Sequence, residues 1–512
     1  MPERRQSTTQ EEFAQGEALA YRDFSESLGP TDSSVRDLRD PRTRRLSSSP
    51  TLDGDTDCDQ EKDAGSAPGA GAPKRLGFFD REFRDMRRKT IIKILVMLAT
   101  MATLTLGTLS IYWASNYERE KYVRKTSVWV VNMDDGTDAI VGPAFQRIVS
   151  AYAASVDRIK VEMRSGADFG YDQARVDREV TQEKIWGAFT IARNATSAML
   201  AALQNPSSNA AVAYDPLTAS SFTYPSTRDY TSYVGVYVPW ATAAGKNFTA
   251  QFAADLYGDA ASHDISLSDV ASNRPLLLAL PVGMALRDLR PLPSVLENAA
   301  TQVGLLYLII VSFFQFNFFQ PVHQALGQVL HPRHYIMYRL LVSWVAYFLL
   351  SLFYSLLSLA FQVDFTAVYG KAGFVIYWLC NFLGMAAVGG ACENMAMVIV
   401  PLCPPLIGYW LIFWVVSNVS ATFTSIPLMP SVFKYGYAFP LHNLSQIAKT
   451  VLFNTKNTIG LNLGVIIAWI AVNTALMPLC MLFFKTQMTK KAQAEAAAKA
   501  AAAAAAGEKG AH

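Results

Sequence analysis

"IKILVMLATMATLTLGTLSIYW" (Ile92–Trp113) is followed, after residues 114–126, by "SVWVVNMDDGT" (Ser127–Thr137). The first stretch carries a single charge, Lys93, and is long enough for a bilayer crossing, which takes roughly 20 mostly apolar residues. The second reads as soluble protein: a β-branched and aromatic run predicts a strand, and Asp134, Asp135 and Gly136 predict the turn that ends it. In that turn Gly136 is expected to supply a positive φ while the aspartates bond their own backbone. The twelve-residue loop of a calcium site, with its terminal Glu, is missing, so Asp134, Asp135 and Asp138 are read as architecture rather than metal ligands. A membrane helix therefore runs almost directly into a folded domain.

The chain of 512 residues is 51% hydrophobic and 12% aromatic, which fits a large soluble protein or a membrane protein, so the placement of charge decides. Residues 94–114, 298–332, 340–363, 372–392, 394–433 and 457–484 contain no Asp, Glu, Lys or Arg. These runs predict six membrane helices near 91–114, 302–320, 338–361, 373–396, 404–422 and 463–485. Between the first and second lies a more polar region of about 185 residues, enough for a domain with its own core. There "TSVWVVNM", "NAAVAYD" and "RPLLLALPVGMALRDLRP" read as strands, and "PAFQRIVSAYAASV", "NATSAMLAAL" and most of residues 227–258 as helices. The expected fold is six α-helical spans, one plus five, with an α+β or α/β domain holding a partly parallel sheet inserted between spans one and two. The parts divide as a tail 1–76, a basic flank and first helix 77–114, the inserted domain 115–300, a five-helix membrane domain 301–486 and an Ala-rich tail 487–512.

"KRLGFFDREFRDMRRK" ahead of the first span holds seven Lys or Arg against three acids, and Lys485, Lys490 and Lys491 follow the last span. The positive-inside rule then puts both termini in the cytosol and the inserted domain outside it. The connection 321–339, with Arg333, Arg339 and three histidines, fits the cytosolic side. Sequons at Asn194 and Asn247 in the domain, and at Asn443 between spans five and six, fall on the opposite side and are candidate glycosylation sites. The five cysteines, at 58, 380, 392, 403 and 480, avoid the domain, so no disulfide framework holds it. Ser7 in "RRQS" and Ser47 in "RRLSSSP" follow Arg pairs in a tail whose composition favours disorder, and are candidate phosphorylation sites. The Ala-rich tail favours helix by propensity and is expected to prolong the last span, fraying near Gly507.

A net charge of +3 gives no reason to expect a nucleic-acid partner. "AAGKNF" (243–248) lacks the rest of a phosphate loop, the His331/His334 pair lacks a third ligand, and no nucleophile elbow or zinc-protease signature occurs. No enzyme activity, cofactor or metal is expected. Polar residues inside spans are more informative. Glu393, in "GGACENMAMVIV", lies where a charge at full depth costs about 2.5 to 3.5 kcal/mol, so it is either interfacial or faces the bundle interior. Gln315, Asn317 and Gln320 in span two are expected to bond neighbouring helices, and "GMAAVGGA" (384–391) to let a helix come close.

"VVNMDDGT", "QVGLLYLIIVSFFQFNF", "YRLLVSWVAYFLLSLFYSLLSLAF", "VIYWLCNFLGMAAVGGACENM" and "YGYAFPLHNLSQIAKTVLF" together resemble the fungal nitrosoguanidine-resistance membrane proteins (DUF3533-type) over about residues 76–487. That family is in turn distantly similar to the bacterial YhgE/phage-infection proteins and to ABC-2-type permease subunits. The resemblance implies the one-plus-five arrangement, a part in tolerance to toxic compounds and in plasma-membrane lipid organisation, and no transferable catalytic residue. The expected function is an ABC-2-like permease-type protein acting by export or by lipid organisation, without its own ATPase. Its expected partners are the bilayer, amphiphilic small molecules or lipids, and a separate ATPase or further copies of itself. The alternative is a non-transporting scaffold or regulator of another transporter.

Overall fold

The computed structural model describes residues 78–156 and 159–509. Ser7, Ser47, Cys58 and the whole of the N-terminal tail 1–76 lie outside the described residues. Six helices are long and apolar enough to cross a membrane, as the charge-free runs predict. They are α1 (Arg84–Asn116), α6 (Leu305–Val329), α7 (Pro332–Ala360), α8 (Gly373–Leu402), α9 (Leu406–Phe423) and α11 (Ile459–Lys509). The breaks between them are written in the chain. Pro332 stands at the first position of α7, where its missing N–H costs nothing, and Pro404 and Pro405 separate α8 from α9. The last helix, α11, runs on from the final span through the Ala-rich tail to Lys509, as the helix propensity of that tail predicts.

Between α1 and α6 stands a five-stranded mixed sheet in the order β2-β1-β3-β4-β5. Its strands are β1 (Ser127–Asn132), β2 (Lys160–Ser165), β3 (Ala188–Ile191), β4 (Ser220–Tyr224) and β5 (Met284–Asp288). β1 pairs in parallel with β2 and β3, β3 and β4 are antiparallel, and β4 and β5 are parallel. The helices α2 (Val141–Val156), α3 (Gln173–Thr181), α4 (Ala195–Gln204) and α5 (Val238–Gly258) come between the strands. Val128 and Val130 of β1 join one core with Phe145, Phe189, Phe222 and Phe248, while Val131 and Met133 join a second with Phe169, Val176 and Val180. The sheet is thus covered on both faces, an α/β layering rather than segregated helices and strands.

Some expected elements differ. "NAAVAYD" forms a helix over Asn209–Ala213, because Ser208 Oγ accepts the Ala211 N–H at 3.1 Å and alanine favours the helix it caps. In "RPLLLALPVGMALRDLRP" the first half is helical (Pro275–Ala279) and only Met284–Asp288 is strand. β2 is a largely exposed edge strand; Val161 and Met163 alternate with Lys160, Glu162 and Arg164, a two-residue period that the reading above does not single out.

The Asp-Asp-Gly stretch is held by side chains, not by a glycine conformation. Among the described residues only Gly170 and Gly370 are glycines with positive φ, so the expectation for Gly136 is corrected. Asn132 Oδ1 accepts the Asp134 N–H at 2.9 Å. Buried Asp134 accepts from Thr196 Oγ1 (2.6 Å), Thr196 N (3.3 Å) and Gly142 N (3.2 Å), tying the end of β1 to the starts of α2 and α4. Gly142 is the glycine the turn needs: a Cβ there would lie 2.2 Å from Asn132 Oδ1.

The sheet layer and the membrane helices meet through α10 (Pro440–Phe453) and the segment before it. Leu428 from that segment enters the larger core of the sheet layer. Asp229 Oδ2 accepts the Ser425 N–H at 3.0 Å, buried Lys449 donates to the Arg228 carbonyl at 3.0 Å, and Arg290 donates to the Asn454 carbonyl at 2.8 Å. Burial lowers the pKa of the Lys449 amine from its ordinary value and that of His442 to about 4, leaving His442 neutral at pH 7 with a ring nitrogen 2.9 Å from the Ala421 carbonyl.

Candidate functional site

On α7, Arg339, Ser343 and Tyr347 recur every fourth residue and so lie on one face of the helix. That face meets Glu393 of α8. Glu393 Oε1 accepts from Ser343 Oγ and from Tyr347 OH, each at 2.7 Å, and Oε2 accepts from Arg339 Nη2 at 3.3 Å. Glu393 is 3% exposed and Arg339 5%. Of the two expectations for Glu393, the geometry selects the bundle interior.

The small-residue run explains how a carboxylate comes so close to three donors. A Cβ at Gly389 would stand 2.6 Å from Tyr347 Cζ, so only glycine admits the tyrosine to Glu393. A Cβ at Gly390 would meet Asn473 of α11 at 3.0 Å, and one at Gly384 would meet Leu444 of α10 at 2.4 Å. Asn473 Nδ2 donates to the Ala387 carbonyl at 2.8 Å, and Asn394 Nδ2 to the Asn473 carbonyl at 2.9 Å. Helix α8 thus packs α7, α10 and α11 on glycines. Beside Glu393, α7, α8 and α11 leave a cavity of about 30 Å³, lined by Ser343, Tyr347, Asn394, Asn473 and Thr474 among others.

Arg339 is the residue that reading along the chain misplaced. The sequence places it in the connection 321–339, at the edge of the span near 338–361, yet it stands seven residues beyond the start of α7 and is buried. The available signal was the four-residue spacing of Arg339, Ser343 and Tyr347 within an apolar run. Its guanidinium lies over the Phe316 ring at 5.6 Å, and its Nε is buried with no acceptor. The same end of the bundle holds buried His323, with Nδ1 3.1 Å from the Tyr338 hydroxyl and its carbonyl accepting from Tyr335 OH at 3.0 Å.

The polar residues of span two do not make the interhelical bonds expected of them. Asn317 Nδ2 donates to Phe313 of its own helix at 2.9 Å, Gln315 is buried with both amide atoms unpartnered, and Gln320 is half-buried. His331 and His334 are exposed with rings 6.2 Å apart, and no group of three potential metal ligands occurs among the described residues. "AAGKNF" is a turn of α5.

The sequons separate. Asn194 is exposed ahead of α4, and Asn247 is half-buried on α5, where its Oδ1 accepts from Gln251 at 2.6 Å. Asn443 is 1% exposed, and its Nδ2 donates to the Tyr437 and Phe439 carbonyls at 2.9 and 2.8 Å. Both hydrogens of that amide are used inside the fold and no space remains for a sugar, so the candidate glycan at Asn443 is withdrawn.

Fold and site define a multi-pass membrane protein with an α/β layer and a charged pair inside its helix bundle. Residues 96–475 match the family model described as "Protein of unknown function (DUF3533)", and the chain belongs to that family. It is 27% identical over 470 residues to an uncharacterized endoplasmic reticulum membrane protein of Saccharomyces cerevisiae, covering 87% of this chain and 91% of the relative. No solved structure gives a significant match.

Proposed function

We propose that this protein is a non-enzymatic, permease-type membrane protein that moves, or helps to move, amphiphilic compounds or lipids and so contributes to toxicant resistance. The observation that carries the reading is the Arg339–Glu393 pair with Ser343 and Tyr347 between α7 and α8, because ionisable groups kept inside a membrane bundle mark pathways more often than packing. Energy comes from a separate ATPase, an ion gradient or the substrate's own gradient, since no phosphate loop is present in the sequence. One observation favours the scaffold reading instead: the cavity beside Glu393 admits a water but no amphiphile, so transport requires the helices to part. Liposomes containing only this protein decide between them. Time-resolved flux of a fluorescent amphiphile should exceed that of empty liposomes and fall in Glu393→Gln; flux equal to empty liposomes favours the scaffold or a missing ATPase over an autonomous permease.

We further propose that the α/β layer faces away from the cytosol, with both termini cytosolic and the plasma membrane as the site of action. The basic flank before α1 and the exposed sequon at Asn194 support the orientation. The family resemblance supports the plasma membrane, whereas the yeast relative carries an endoplasmic reticulum name. Endoglycosidase should shift the gel mobility of surface-biotinylated protein. The shift should vanish in Asn194→Gln/Asn247→Gln and persist in Asn443→Gln. A chain that is neither biotinylated nor shifted contradicts the proposal.

A further inference from the structure

The two partners of the buried pair are satisfied unequally. Glu393 receives three donors, two of them hydroxyls. A guanidinium offers five N–H groups, and among the described residues one acceptor, Glu393, meets those of Arg339. Its Nε is buried and bare, and its plane rests on the Phe316 ring. Burying such donors without acceptors is costly, and the guanidinium fork matches a phosphate or carboxylate. Arg339 lies seven residues from the start of α7, a rise of about 10 Å, so it stands about two turns into the span and not at its centre.

We propose that the unpartnered edge of Arg339, reached when the helices part, is a binding site for an anionic headgroup, phosphate or carboxylate, and that the amphiphile handled by this protein is therefore anionic. Glu393 stays on Nη2 while the ligand takes the Nε edge, so one guanidinium serves two anions. The proximity of Glu393 weakens the ligand's hold and permits release. No bond is made or broken in this step, and charge on the protein is unchanged. The proposal rests on the permease reading for its meaning, but binding can be measured without transport.

The test uses the full-length protein purified into neutral detergent with mixed phosphatidylcholine and phosphatidylserine, with retained lipids counted by native mass spectrometry. Wild type should retain phosphatidylserine over phosphatidylcholine, and Glu393→Gln should strengthen that preference about tenfold, as expected when a competing charge is removed from a charged hydrogen bond. Arg339→Gln/Glu393→Gln, a neutral pair that keeps hydrogen-bonding capacity and can be checked for monodisperse elution, should bring the two lipids to parity. Added inorganic phosphate that displaces phosphatidylserine from Glu393→Gln shows that a free anion is enough for the site; failure to displace assigns the recognition to the intact lipid, and both support an anion site. Equal retention of the two lipids by wild type and Glu393→Gln, or a preference that survives in the double variant, overturns the proposal. Arg339-dependent retention with no flux in liposomes would refute the permease reading and leave the site standing.

Discussion

Arg339→Met is expected to destabilise the detergent-solubilised protein by roughly 3 to 5 kcal/mol, because it strands a buried carboxylate between two hydroxyls with no compensating charge. Ser343 and Tyr347 still donate to Glu393 at 2.7 Å, but neutral hydrogen bonds do not replace a cation in a site only 3% exposed. The double variant Arg339→Met/Glu393→Leu should recover most of the loss, since replacing both members of a buried pair with apolar groups is often nearly neutral. Glu393→Gln should lie between them. Reversible unfolding in denaturant, followed by tryptophan fluorescence, measures all three. If Arg339→Met stays within about 0.5 kcal/mol of wild type, the level of an ordinary surface change, the pair is not buried as described. Stability and function are separable here: the double variant should fold and yet lose the flux and the anionic-lipid preference attributed to the site.

Asp134→Ala should cost about 3 kcal/mol or more in the α/β layer, by removing the acceptor of the Thr196 hydroxyl, the Thr196 N–H and the Gly142 N–H at once. Thr196 Oγ1 itself accepts from the Ile140 and Val141 N–H groups at 2.9 and 3.0 Å, so the loss spreads to the first turn of α2. Asp135→Ala is the internal control. Asp135 is exposed and accepts only from Tyr171 OH at 2.9 Å, so its removal should stay within about 0.5 kcal/mol. Limited proteolysis should cut the Asp134→Ala protein near the end of β1 at protease levels that leave wild type and Asp135→Ala intact. Equal resistance in all three would mean that the Asp134 carboxylate does not hold the turn.

Charge-free runs located all six membrane helices and their order in the chain, because hydrocarbon penalises charge strongly enough for composition alone to mark a span. β1, α2 and α4 were legible for a similar reason: local pattern and propensity agree there with the final packing. β2 carried a signal that is easily passed over: Val161 and Met163 alternate with charged residues, but the strand is short, exposed and at the sheet edge beside β1. Tertiary structure alone decided the site. Glu393 was visible as an anomaly, but its partner stands 54 residues earlier on another helix, and only the approach permitted by Gly389 brings Arg339, Ser343 and Tyr347 to it. The fate of Asn443 likewise depends on the Tyr437 and Phe439 carbonyls turning toward its amide, a backbone geometry that a sequon does not encode. Gly136 and Gly142 show the same division: the sequence offers two glycines near one turn, and the neighbouring Asn132 side chain determines which of them is required.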